Sequence, residues 1–81
     1  MVKVLFFARL RQQLGMGETT LEDFSGSLSE LRKTLCEQHP DWSPHLQRDD
    51  IRMALNQELA ETGAQVKAGD EVAFFPPVTG G

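Results

Sequence analysis

The chain has 81 residues, 40% apolar and 25% charged, with eight Lys and Arg against twelve Asp and Glu for a net charge of −4. This is one domain with one modest core, burying ~60–65% of the surface that the unfolded chain exposes, too little for both a deep catalytic cleft and a cofactor fold. The acidic balance excludes nucleic acid and anionic membrane as natural partners, no apolar run approaches the ~20 residues of a membrane span, and a lone Cys36 excludes a disulfide scaffold and a cysteine-rich zinc site.

Val2 to Ala8 reads as a strand, with Val2, Val4 and Phe6 on one side and Lys3, Leu5 and Phe7 on the other. It is too short and too strand-like for a secretory signal, and the expected home is a reducing cytoplasm. Arg9 to Leu14 suits a turn or two of helix, with Leu10 and Leu14 stacked at i,i+4 and Gly15 as a left-handed cap. Glu18 to Phe24 reads as a second strand. Ser27-Leu28-Ser29-Glu30 fits a capping box, and Leu28, Leu31 and Leu35 then share one face of the main helix, which Pro40 bounds. Asp41 to Arg48 is a coil or short helical turn anchored by Trp42, Pro44 and Leu46. Ile51, Met53 and Leu55 alternate with polar or small residues in a third strand. A turn at Asn56-Gln57-Glu58 leads to a short return strand from Leu59, Val66 to Asp70 is a loop, and Glu71 to Phe75 is the last strand, ended by Pro76-Pro77.

One main helix among these strands is an α+β layout. The expected fold is a β-grasp, or ubiquitin-like, domain over 1–75. It is a mixed sheet in which the last strand joins the first in parallel and the helix packs on one face. Residues 76–81 form an extended tail.

Catalytic constellations are absent. No Ser, His and acid form a nucleophile pattern, and no Gly-rich loop opens a helix. His39 and His45, with Pro40 and Pro44 between them, put no two ligands on one helical face and read as solvated or capping residues. Cys36 follows core-facing Leu35 and reads as packing. The domain is not expected to catalyse anything alone. The tail stands out instead. Fully stretched, Pro76 to Gly81 spans up to ~20 Å, against a radius of gyration of ~12 Å for a domain of this length. Gly80 and Gly81 carry no Cβ and suit threading into a narrow channel. A plain frayed terminus is the alternative reading. Parity adds a second feature: Phe7 goes with Lys3 and Phe75 with Glu71, so both rings are expected on the solvent face. If the first and last strands are neighbours the two rings lie side by side, joined by Leu59, as a docking surface.

Phe6-Phe7-Ala8, Trp42, Asn56-Gln57 and above all the run from Gly69 to Gly81 resemble the molybdopterin synthase small-subunit family of ubiquitin-like sulfur carriers. The resemblance covers essentially the whole chain. One departure is Arg11-Gln12, where related sequences often have Arg followed by Glu. The resemblance implies that a ubiquitin-activating-like adenylyltransferase, using ATP and Mg, adenylates the Gly81 carboxylate. A persulfide donor then supplies sulfur, leaving a thiocarboxylate on Gly81. It implies that the tail, with Val78, Thr79 and Gly80, threads into a large synthase subunit of a heterotetramer and gives its sulfur to a cyclic pterin monophosphate precursor for the molybdopterin dithiolene. Phe7, Leu59 and Phe75 form the docking surface, and the chain binds no metal or cofactor of its own. Competing readings are a sulfur carrier for thiamine-thiazole synthesis, a protein modifier acting through Gly81, and a binding module read through Pro76-Pro77.

Overall fold

Alternation places the first strand. Val2, Val4 and Phe6 are buried in β1 (Val2–Phe6) while Lys3 is exposed. The computed structural model describes residues 1–77. β1 ends two residues before the predicted Ala8, because Ala8 adopts φ +53 and turns the chain into α1 (Ala8–Leu14). Leu10 and Leu14 are the buried residues of α1, and Gly15 closes it at φ 72, ψ 19, donating its N–H to the Arg11 carbonyl.

β2 (Glu18–Leu21) stops short of the predicted Phe24. Asp23, at φ +58, redirects the chain, and Phe24 packs against the core instead of continuing a ladder. The short strand β3 (Gly26–Ser27) leads into α2 (Leu28–Gln38). The capping box forms as read: the Ser27 hydroxyl accepts from the Glu30 amide at 3.1 Å, and the Glu30 carboxylate accepts from the Ser27 amide at 2.9 Å. The Ser27 amide, and after it the Ser27 hydroxyl, hold the Glu30 carboxyl below its usual range. Two further N–H groups of the first turn reach across the fold, Leu28 to the Ala64 carbonyl at 2.9 Å and Ser29 to the Thr62 carbonyl at 3.0 Å. The helix start is thereby satisfied by local and distant partners together. Leu28, Leu31, Leu35 and Cys36 are buried.

A 3-10 turn (Pro40–Trp42) and α3 (Ser43–Leu46) follow. Trp42 and Leu46 anchor this segment, but Pro44 is exposed and does not. Pro44 belongs to the first turn of α3, where its missing N–H costs nothing. Three strands complete the main sheet: β4 (Arg52–Leu55), β5 (Glu58–Ala60) and, after β6 (Gln65–Val66), β7 (Glu71–Phe75). The sequence placed Val66 in a loop. It sits in β6, which pairs antiparallel with β3, Gly26 opposite Val66. A two-residue strand shows no alternation, so no local pattern announces it.

The main sheet has the order β2-β1-β7-β4-β5. β1 and β7 run parallel, with Lys3 opposite Glu71 and Phe6 opposite Phe74, and the remaining pairs are antiparallel. This is the α+β, ubiquitin-like β-grasp arrangement. The inner face carries the core: Phe6 stands edge-on to Trp42 with centroids 5.2 Å apart and stacks on Phe74 at 5.9 Å.

Candidate functional site

Cross-strand register decides what the outer face of the sheet carries. Residues opposite one another share a face. Phe75 lies opposite Arg52, Ala73 opposite Leu5 and Ala54, and Ala54 opposite Leu59. The Phe7 amide donates to the Phe74 carbonyl at 3.1 Å, one residue past the end of β1, which carries Phe7 to the same end of the sheet as Phe75. Phe7 is 48% exposed and Leu59 76%, against 0% for Phe74. Phe75 is half-buried.

Phe7, Leu59 and Phe75 thus converge on the outer face. They line an open apolar hollow of about 520 Å³ together with Leu5, Ala54 and Ala73. Gln57 and Glu71 supply its polar lining. The Lys3–Glu18 pair, at 3.9 Å, lies on the same face toward the β2 edge. A second, wider hollow of about 1070 Å³ runs from Phe75 and Pro77 around Ala60 to Arg32 of α2, with Arg52, Asp49 and Glu61 giving it charges of both signs.

The hairpin that presents Leu59 is locked from outside. Leu55 lies opposite Glu58, so β4 and β5 are joined by Asn56 and Gln57 alone, at φ +51 and +70. This two-residue turn with both φ positive matches the twist of the strands. Asn56 is clamped to the start of β7. Its side-chain oxygen accepts from the Glu71 amide at 3.0 Å, its side-chain nitrogen donates to Asp70 Oδ1 at 3.2 Å, and its own amide donates to the Glu71 carbonyl at 2.7 Å. Asp70 Oδ2 also accepts from the Lys67 amide at 2.9 Å. The Lys67 amide and the Asn56 side chain hold the Asp70 carboxyl below its usual range.

The other candidates stay apart from this face. His39 ends α2 and stacks on Trp42, with centroids 3.8 Å apart and ring planes 10° apart. His45 lies in α3, and Cys36 is buried. Among the described residues, no group of three or more His, Cys, Asp and Glu is placed to hold a metal ion, and no helix is long and apolar enough to cross a membrane. Val78, Thr79, Gly80 and Gly81 lie outside the described residues. Sequence reasoning missed Gln57 as part of the hollow. The Asn-Gln pair between two alternating runs was the available signal, since a turn with two positive φ values favours Gly at the second position.

The model of the ThiS family matches residues 4–81. The chain belongs to the ThiS family. A relative of this ThiS-family chain in Haemophilus influenzae, the molybdopterin synthase sulfur carrier subunit, is 41% identical over 81 residues and covers 100% of both chains. Two solved structures resemble the fold. SAMP1 from Haloferax volcanii has a TM-score of 0.80 at 28% identity, covering 99% of this chain and 98% of that one. A protein–protein complex of subunits 1 and 2 of the molybdopterin-converting factor from Helicobacter pylori contains a chain with a TM-score of 0.70 at 25% identity, covering 99% and 97%.

Proposed function

We propose that this chain is the sulfur-carrier subunit of a molybdopterin synthase. The observation that carries the reading is the apolar face at the root of the tail. Phe75, one wall of the hollow, lies two residues before Pro77, and the chain then runs on to Gly80 and Gly81. A face that holds a partner at this point lets the partner receive the last residues in its own site. Full-length similarity to a molybdopterin synthase sulfur carrier subunit supports the same reading.

Gly81 is the reactive residue. Its carboxylate is a poor electrophile and needs activation. An adenylyltransferase using ATP and Mg forms the Gly81 acyl-adenylate and releases pyrophosphate. The terminal sulfur of a persulfide attacks the carbonyl, AMP leaves, and a thiol cleaves the resulting acyl disulfide to free the thiocarboxylate. A thiocarboxylate is ionised at neutral pH and is a sulfur nucleophile, as a thiolate is. Val78, Thr79 and Gly80 thread it into the large subunit of a heterotetramer, where the pterin precursor takes the sulfur. Phe7, Leu59 and Phe75 dock both partners. The work is done in the cytoplasm, and the chain itself holds no cofactor.

The test is the mass of the C-terminal peptide of a Cys36→Ser variant, after incubation with the adenylyltransferase, ATP and sulfide and then a thiol alkylator. The alkyl label is expected on Gly81, and deletion of Gly81 is expected to abolish sulfur transfer while leaving Tm within about 2 °C, a small fraction of a domain's stability. Wild-type sulfur transfer by the deletion variant overturns the reading. Isopeptide adducts on other proteins, with no label on Gly81, point instead to a modifier.

A further inference from the structure

Among the described residues four non-glycine residues have positive φ: Ala8, Asp23, Asn56 and Gln57. Ala8 turns β1 into α1, Asp23 closes β2, and Asn56 is held by its bonds to Asp70 and Glu71. Asn and Asp also visit this region more readily than other residues. Gln57 takes its φ from the two-residue turn between β4 and β5, but its residue type does not favour that region. It is a straight-chain residue at φ +70, exposed, and its side chain makes no hydrogen bond to a described residue. Glycine suits the position better, because Asn-Gly is the favoured pair for this turn. A strained side chain kept without an internal partner points to an external one.

Its location says which. Gln57 lines the apolar hollow with Phe7, Leu59 and Phe75, and among the described residues lining it only Gln57 has a side chain that both donates and accepts hydrogen bonds. A protein segment that seats an apolar side chain in such a hollow also desolvates its own backbone N–H and C=O, which then need partners. A primary amide complements a peptide group on both counts.

We propose that Gln57 is a specificity-determining contact of the docking face. The hollow receives an apolar side chain of the synthase large subunit, and the Gln57 amide hydrogen-bonds a backbone peptide group of the same segment. The inference rests on the docking reading above and adds the chemistry of the partner segment to it. The backbone strain at Gln57 is the cost of having an amide at the edge of the hollow.

The experiment compares Gln57→Gly, Gln57→Ala and Phe75→Ala in the full chain, measuring Tm and the affinity for the large subunit by calorimetry. Gln57→Gly is expected to raise Tm by about 4 °C through strain relief and to weaken binding about three- to tenfold, the range of one lost hydrogen bond. Gln57→Ala keeps the strain and loses the amide, so it is expected to weaken binding equally with no rise in Tm. Affinities of both Gln57 variants within twofold of the parent overturn the proposal, and so does a fall in Tm for Gln57→Gly. Phe75→Ala separates the two readings. If it weakens binding and the Gln57 variants do not, only the role of Gln57 fails. If it binds as tightly as the parent, the docking face itself is wrong, and an unaltered chain that does not bind the large subunit overturns both.

Discussion

Single residues carry the precision of this face. Asn56 spends its side-chain amide on Asp70 and Glu71, which ties the β4–β5 turn to the first residue of β7 and so fixes where Leu59 stands. Asp70 completes the clamp through Lys67. Because these donors favour the charged carboxylate, the Asp70 pKa is lower folded than unfolded. The unfolded chain then binds more protons as pH falls through and below about 4. Stability from this group is therefore complete above that range and lost as pH falls through the lowered folded pKa. Asp70→Asn is expected to melt lower than the parent at neutral pH. The gap is expected to shrink on acidification toward about pH 2.5. Melting curves across that range check this, and a gap that stays constant with pH shows that Asp70 acts without its charge.

Elements reach their places by different routes. α2 is specified locally: the capping box and the i, i+3, i+7 leucines lie within one short run of chain. Yet its first turn is also stitched to the Thr62 and Ala64 carbonyls, so the helix start belongs to the tertiary fold as well. Ser27→Ala removes one capping bond. It is expected to cost about 1 kcal/mol, a fall in Tm of about 4–8 °C for a domain of this size. A fall below 2 °C in a thermal melt shows that the long-range bonds alone hold the helix start. β7 shows the division of labour along a strand. Phe74 is fully buried against Phe6, while Phe75, its neighbour, lies on the outer face. Alternation alone separates the core residue from the residue on the outer face.

At the scale of the whole fold, one side of the sheet is spent on the core and the other carries an exposed apolar hollow. Helices α1, α2 and α3 bring Leu10, Leu31 and Leu46 into one core with Phe6 and Phe74, and the outer face keeps its apolar hollow open. If this face docks both proposed partners, it serves them in turn. The adenylyltransferase and the large subunit are expected to compete. Added adenylyltransferase is expected to raise the apparent Kd for the large subunit linearly with its concentration. Native mass spectrometry of the three-component mixture checks this, and a ternary complex with one copy of each shows separate docking sites.

The amino-acid sequence by itself determined the parity of β1 and β7, the capping box, the Gly15 cap and the leucine face of α2, because each is written within a few adjacent residues. It also marked Phe7, Leu59 and Phe75 as solvent-facing. Among the illegible features are the end of β1 at Phe6, the β3–β6 pairing, the end of β2 at Leu21 and the exposure of Pro44. The first depends on Ala8 taking a positive φ that no alanine announces. The second pairs two-residue strands too short to show a period. The tertiary structure brings Phe7 and Phe75 together through the expected parallel pairing of β1 with β7, which joins opposite ends of the chain. Only it placed Gln57 at the hollow, through a turn whose backbone is set by the two strands that it joins and by the clamp on β7.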